Sequence, residues 1–249
     1  MTSKSPKSTA RAQKAAAARA EQARKERRRR LLTIGGVIAA MVLIVGGAVA
    51  ISMVTKSKDD AKLSDAASQS SEFGLVIGEE DAPHSVVVYE DFLCPFCGEL
   101  ERATGEDLAK LAAEGKVRVE YRPFDLLSQA YGDYPIRATN AFAVVLEKSG
   151  PQVAQKMHEL LFANQPSEKN PDALSDDDLV KLAVKAGAAE EDVRPGIENL
   201  SHKDWVTKAT ADARKSGVSG TPTILVDGKV FEDGRTVDEL ADNLINAVS

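Results

Sequence analysis

The stretch Glu90-Asp91-Phe92-Leu93-Cys94-Pro95-Phe96-Cys97 decides the reading of this chain. It carries the only two cysteines in 249 residues. It follows directly on Ser85-Val86-Val87-Val88-Tyr89, a continuous β-branched run that predicts a buried strand. If a helix begins at Cys94, the two thiols are chemically unequal. Cys94 then sits at the N-terminus, where free backbone N–H groups and the positive end of the helix dipole favour a thiolate. Cys97 lies one turn in, closer to protein. That asymmetry suits a dithiol that exchanges disulfides with other molecules.

Downstream of the cysteines, apolar residues at 97, 100, 108, 111 and 112 follow helical spacing to Glu114, with Thr104-Gly105 as the expected point of a break or kink. Residues Lys116–Arg122 alternate polar and apolar, which predicts a half-buried strand ended by Pro123. Strand, helix, strand implies a parallel pair with a right-handed crossover. Upstream, Leu75-Val76-Ile77 between Gly74 and Gly78 is a short strand candidate. Helical patterns follow at Ile136–Lys148, Gln152–Ala163, Asp176–Gly187, Glu190–Asn199 and Lys203–Ser216. Pro195 predicts a break in the fourth. Ser175 with Asp176, Asp177 and Asp178 reads as a helix start, not a cation site. Asp227-Gly228 between Thr223–Val226 and Lys229–Phe231 is the strongest hairpin signal, and Val237–Val248 is a last helix.

The N-terminal third is different in kind. Residues 1–30 hold eleven Lys or Arg and two Glu, a local charge of +9, which leaves −15 for the remainder of a chain whose net charge is −6. They read as a disordered basic tail. Leu31–Val54 is 24 residues without a charge, long enough as a helix to cross a hydrocarbon core of about 30 Å. Arg27–Arg30 abut its start, and the positive-inside rule keeps the tail cytoplasmic and sends residues 56–249 outside. The expected localisation is thus the cell membrane, single-pass, with the folded part extracytoplasmic. A secretory signal cleaved after Ala50 is the competing reading; the long basic region and long apolar run favour an uncleaved signal-anchor. Either way the C-terminal part is exported, where disulfides persist. Residues 55–72 read as a flexible linker, with the folded domain from about Phe73. An acidic domain on a basic tail argues against nucleic-acid binding.

Cys-Pro-Phe-Cys after a strand, a helical block, then Gly217-Val218-Ser219-Gly220-Thr221-Pro222-Thr223 before a hairpin resembles a known family. The chain over about 73–249 is similar to the DsbA-like thiol:disulfide oxidoreductases, in the membrane-anchored form of Gram-positive and actinobacterial envelopes. The resemblance implies an α/β thioredoxin fold with a helical subdomain inserted at about 130–215. It implies Cys94 as exposed nucleophile and Cys97 as resolving thiol. Pro95 and Phe96 form the variable pair, and Thr221 precedes the cis-proline Pro222 beside the dithiol. No cofactor beyond the redox-active Cys94–Cys97 disulfide is implied. The partners implied are exported cysteine-containing proteins and a quinone-linked membrane redox partner.

Two departures stand out. Strongly oxidising members often carry His where this chain has Phe96, so a side-chain donor to the Cys94 thiolate is missing. Many relatives place an acidic residue where this chain has Val88; Glu90 or Asp91 is the replacement candidate as proton acceptor for Cys97. A metal site is not expected, because His84, His158 and His202 are scattered and read as surface residues. Trp205 reads as helix packing. The enzyme expected is a protein disulfide oxidase. A reductase or isomerase using the same site, and a tethered peptide-binding or chaperone-like module with structural cysteines, are the alternatives.

Overall fold

A computed structural model describes Lys58, residues 62–64, Ala66 and residues 71–249. The basic tail and the apolar run lie outside the described residues. Among the described residues, no helix is long and apolar enough to cross a membrane.

The strand that leads into the cysteines is the middle of a five-stranded sheet. Strands β1 (Leu75–Ile77), β2 (His84–Glu90), β3 (Val117–Pro123), β4 (Thr223–Val226) and β5 (Lys229–Val230) lie in the order β1-β3-β2-β4-β5. β2 and β3 are parallel, and the other neighbours are antiparallel. Between β2 and β3 runs helix α1 (Pro95–Ala113), the crossover that the sequence pattern predicts. It passes through Thr104-Gly105 without a break, and the Thr104 hydroxyl donates to the Leu100 carbonyl 2.8 Å away.

The inserted block holds α2 (Ser128–Tyr131), α3 (Tyr134–Ser149), α4 (Pro151–Ala163), a 3₁₀ turn at Pro171–Ala173, α5 (Asp176–Ala186), α6 (Glu190–Glu198) and α7 (Lys203–Lys215). Ser175 caps α5 in a capping box with Asp178. α6 continues past Pro195, contrary to the break expected there. The chain closes with α8 (Val237–Ala247).

The period of two along β2 sorts its side chains onto two cores. Val86 and Val88 join the larger one, with α1, α3 to α6 and α8. Val87 and Tyr89 join a smaller one with Phe124, Ala209, Ala213, Val218 and Leu225. Trp205 packs against both.

That second core corrects two expectations. β3 is not half-buried: Glu120 and Arg122 are covered along with Val119 and Tyr121. The polar face is buried because its charges satisfy each other. Arg122 Nε donates to Glu120 Oε1 at 2.8 Å, and Arg122 Nη1 to the Tyr89 hydroxyl at 2.7 Å. Nor is the segment before Phe73 wholly a tether. The folded unit runs Ser57–Ser249. Residues 62–64 and Ala66 are helical, and Leu63 is buried in the second core. Arg122 Nη1 reaches the Ala66 carbonyl at 3.1 Å, and Ser71 N–H donates to Glu120 Oε1 at 2.7 Å. One leucine and two backbone groups are enough to dock a stretch whose composition is polar.

Candidate active site

Cys94 is the N-cap of α1, with Pro95 at the first helical position, where a missing N–H costs nothing. No side chain caps this helix end, so its first-turn N–H groups are free to face the cysteine sulfur. Cys94 and Cys97 are free thiols. Phe96 is 58% exposed and Pro95 is exposed, so the pair between the cysteines forms a projecting apolar tip. Cys94 itself is 5% exposed and Cys97 2%. The expectation of an exposed nucleophile is therefore corrected: only a small part of Cys94 reaches solvent.

The second half of the site arrives from far along the chain. The Thr221–Pro222 peptide is cis, and the Cys94 thiol donates to the Thr221 carbonyl at 3.4 Å. Thr223 Oγ1 donates to the Gly220 carbonyl at 2.8 Å, fixing the loop. Gln165, just past α4, closes the site from a third side. Its Nε2 donates to the carbonyls of Phe92 (3.0 Å) and Cys94 (2.9 Å). A Cβ at Gly98 would collide with the Gln165 side chain, so only glycine there lets Gln165 reach the loop.

The two thiols are driven apart electrostatically. Cys94 is pulled down to about 6 by the Cys97 thiol and, against burial, by the Thr221 side chain and the N–H groups of Cys97 and Phe96. The side-chain donor that Phe96 does not supply is replaced by the Cys97 thiol and the Thr221 side chain, while the N–H groups at the helix end support the thiolate as the sequence predicts. Cys97 is pushed well above its ordinary value by burial first, then by Cys94 and by the Glu90 charge. One thiol is poised as a nucleophile, and the other holds its proton.

The two acidic candidates separate. Asp91 Oδ1 accepts from Leu93 N–H (2.8 Å), and Oδ2 from Leu126 N–H (2.8 Å) and Leu127 N–H (3.0 Å). It ties the cysteine loop to the loop after β3, and burial raises it to about 7. Glu90 instead lies on the larger-core side with its carboxylate 2.5 Å from His158 Nε2. Burial raises Glu90, opposed by His158. His158 is 1% exposed, which overturns its reading as a surface histidine. Burial lowers it, but Glu90 and Glu101 outweigh that and hold it up at about 10. Val88, where relatives carry an acid, is a buried core residue paired with Tyr121 and Ile224.

Three residues were missed from sequence: His158, Glu101 and Gln165. His158 had a signal. It shares the apolar face of α4 with Ala154, Leu161 and Phe162, all buried, and a histidine at such a position needs a partner. Glu101, one turn beyond Cys97, had only its spacing. Gln165, in a loop, had none.

Two unequal thiols at a helix N-terminus beside a cis-proline loop define a thiol:disulfide exchange centre of the DsbA-like kind. The chain belongs to the thioredoxin family, whose model matches residues 70–246. It is similar to solved structures of two Mycobacterium tuberculosis proteins. One is a reduced disulfide bond oxidoreductase, DsbG, 26% identical with a TM-score of 0.62, over 75% of this chain and 91% of that one. The other is oxidised DsbA, 26% identical with a TM-score of 0.57, over 71% of this chain and 100% of that one. Among curated proteins it matches a Na(+)/H(+) antiporter, NhaA 3, of Salinispora tropica, 27% identical over 69% of this chain and 24% of the antiporter. The chain spans about a quarter of the length of the curated relatives it matches.

Proposed function

We propose that this chain is an extracytoplasmic thiol:disulfide oxidoreductase that oxidises the thiols of exported proteins, held at the membrane by residues 31–54. The observation that carries the reading is the dithiol at the α1 N-terminus, with the Cys94 thiol 3.4 Å from the Thr221 carbonyl of the cis-proline loop; burial and its partners push the two thiols in opposite directions. In the oxidised enzyme a substrate thiolate attacks Cys94 Sγ. The Cys94–Cys97 bond breaks, Cys97 leaves and takes a proton, and the second substrate thiol displaces Cys94 from the mixed disulfide. Substrate leaves oxidised, and the enzyme is left as the dithiol.

What supports the oxidising direction is the lowered Cys94 thiol. A helix end that stabilises reduced Cys94 makes the disulfide the less stable form, hence the better oxidant. A value of about 6 lies between a thioredoxin-like thiol near 7 and a strong oxidant's near 3.5. The expected potential therefore lies between about −270 and −120 mV. Re-oxidation would fall to a quinone-linked membrane partner beside the anchor.

The test is Cys97→Ser in the full chain. It is expected to accumulate mixed disulfides with envelope proteins through Cys94, and an absence of adducts would overturn the enzyme reading in favour of a tethered binding module. Equilibration with a glutathione series separates the directions: a potential at or below about −270 mV would make this a reductase or isomerase.

A further inference from the structure

The loop between β2 and α1 is a joint, and a side chain from the inserted block braces it. The strand ends at Glu90 and the helix begins at Pro95. Asp91 ties the strand side. Its carbonyl accepts from the Cys94 N–H at 2.9 Å, and its carboxylate from the Leu93 N–H at 2.8 Å. On the helix side the Cys94 carbonyl accepts from the Gly98 N–H at 3.2 Å. Gln165 bonds across the joint. Its amide N–H groups donate to the Phe92 carbonyl on one side, at 3.0 Å, and to the Cys94 carbonyl on the other, at 2.9 Å. The backbone torsions of Leu93 and Cys94 lie between those two carbonyls.

Where the Cys94 sulfur sits depends on that joint. The sulfur hangs from Cys94 Cα. The N–H groups of Phe96 and Cys97 that support its thiolate lie beyond the Cα–C bond of the same residue. Pro95 has no N–H to add between them. Rotation of ψ at Cys94, which stands at 117°, therefore carries the sulfur and its donors apart. The Cys94 carbonyl turns with that torsion, so a donor that holds the carbonyl also holds the torsion.

Gln165 is itself held at the end of α4. Its N–H donates to the Phe162 carbonyl at 3.3 Å, and the Phe162 ring packs on Phe92 with centroids 5.0 Å apart. The last turn of α4 thus grips the cysteine loop by a ring and by an amide. Opposite it, α1 leaves room. Gly98 is buried in the helix, and a Cβ there would stand 2.3 Å from Gln165 Oε1. A glycine in a helix interior is unfavourable by roughly 1 kcal/mol relative to alanine. Here the helix carries one at the point where Gln165 passes.

We infer that Gln165 of the inserted block is a positioning residue that fixes the Cys94 sulfur against the first turn of α1, and that it supports the dithiol form more than the disulfide form. This rests on the oxidoreductase reading above. In the oxidised enzyme the Cys94–Cys97 bond closes the same turn covalently and holds the sulfur without help. In the dithiol, the form of this structure, the hydrogen-bonded brace does that work. The exchange it biases is enzyme disulfide plus two glutathione thiols giving enzyme dithiol plus glutathione disulfide. A contact that favours only the dithiol drives this exchange forward and makes the enzyme the stronger oxidant. The inserted block thereby sets the poise of a site to which it contributes neither cysteine.

The experiment equilibrates the full chain with a glutathione series and reads the dithiol fraction by acid quench, alkylation and mass spectrometry. Gln165→Leu keeps the bulk and removes both donors. It is expected to lower the equilibrium constant for reduction of the enzyme about tenfold, which is about 30 mV toward the reducing side. Gly98→Ala keeps the amide but fills its path. It is expected to shift the constant in the same direction, although alanine favours the helix. Combined, the two substitutions are expected to shift it no further than Gln165→Leu alone, because both remove one contact. An unchanged constant in Gln165→Leu overturns the brace, whatever the loss of stability, because a packing defect shared by both redox forms cancels. Additive shifts in the double variant also overturn it. Should Gln165→Leu fail to fold, Gly98→Ala carries the test, and an unchanged constant there overturns the brace. A wild-type chain that does not exchange with glutathione at all overturns the oxidoreductase reading itself, and the brace's role with it.

Discussion

β2 and β3 bury a charged cluster on each side of the sheet, and the two clusters use different chemistry. On the larger-core side Glu90 meets His158, with Glu101 behind it. On the smaller-core side Glu120 meets Arg122 at 2.8 Å and Arg118 at 3.4 Å, with Tyr89 and the backbone of Ala66 and Ser71 around them. Both carboxylates are almost completely covered. Their cations differ: a guanidinium keeps its proton at any pH a protein meets, whereas an imidazole can give one up. The cluster beside the cysteines can therefore lose its cation, but only as pH rises through about 10. The one that meets Ala66 and Ser71 can only hold, and what it holds is the backbone that leads into the domain.

The sharpest way to break that comparison is to remove the fixed cation. Arg122→Met leaves Glu120 covered with Arg118, 3.4 Å away, as its remaining cation, and the expected loss is about 3 kcal/mol, as for other broken buried pairs. Urea unfolding of the variant checks it. Adding Glu120→Leu is expected to restore most of the loss, because the stranded charge is what destabilises. A double variant no better than the single one would mean that the cluster contributes through contacts to the docked segment.

The docked segment supplies the next effect. Leu63 is 6% exposed among Val87, Tyr89 and Leu225. Leu63→Ala is expected to cost about 2 kcal/mol, the lower end of the range for buried leucines. It is also expected to open the segment to proteolysis. Unchanged stability would return residues 58–66 to the status of a tether.

The imidazole cluster is sharpened by pH. His158 in the fold is held at about 10, above its ordinary 6.5. A group raised in this way adds stability that is complete below about 6.5 and is lost as pH rises through about 10. Between those values the folded chain binds more protons than the unfolded one, so stability falls with pH. Unfolding at pH 6 and pH 10 is expected to show the wild type losing about 1–2 kcal/mol more than His158→Gln over that interval. The corresponding difference between wild type and Arg122→Met is expected to stay flat, because arginine does not titrate there.

The contrast between the clusters also marks what the sequence could convey. The strand, the Cys94–Cys97 pair, the crossover helix and the Asp227-Gly228 hairpin were legible because each is written in adjacent residues, and Pro222 became legible beside them through the family resemblance. The Glu90–His158–Glu101 cluster was not, because its members come from three elements that only the fold brings together. Burial of β3 on both faces was hidden for a similar reason. Alternation of polar and apolar residues predicts water on the polar face, but Arg122 and Glu120 neutralise each other and face a second core instead. The helix breaks expected at Gly105 and Pro195 failed because tertiary packing outweighs local propensity. The helix end that supports the Cys94 thiolate was legible from the place of the pair after β2, but the help of the Cys97 thiol and the Thr221 side chain was not, because it depends on how the fold closes the site.

The smallest effect tests that last point at the site. Cys94 is held at about 6 first by Cys97, with the Thr221 side chain a lesser contributor. At pH 7 a thiol with that value is roughly nine-tenths thiolate. Alkylation of Cys94 by iodoacetamide in the reduced chain is therefore expected to rise through about pH 6 and to be nearly level by pH 7, while buried Cys97 stays unreactive. Thr221→Val removes the hydroxyl but keeps the carbonyl that meets the sulfur at 3.4 Å. The midpoint of the alkylation profile is expected to move up by less than about one unit, corresponding to under about 1.4 kcal/mol. The potential should become correspondingly more reducing, because the thiolate of the reduced form has lost support. A midpoint that does not move would assign the lowered value wholly to Cys97 and the α1 N–H groups, and would leave the loop before β4 with only a shaping role.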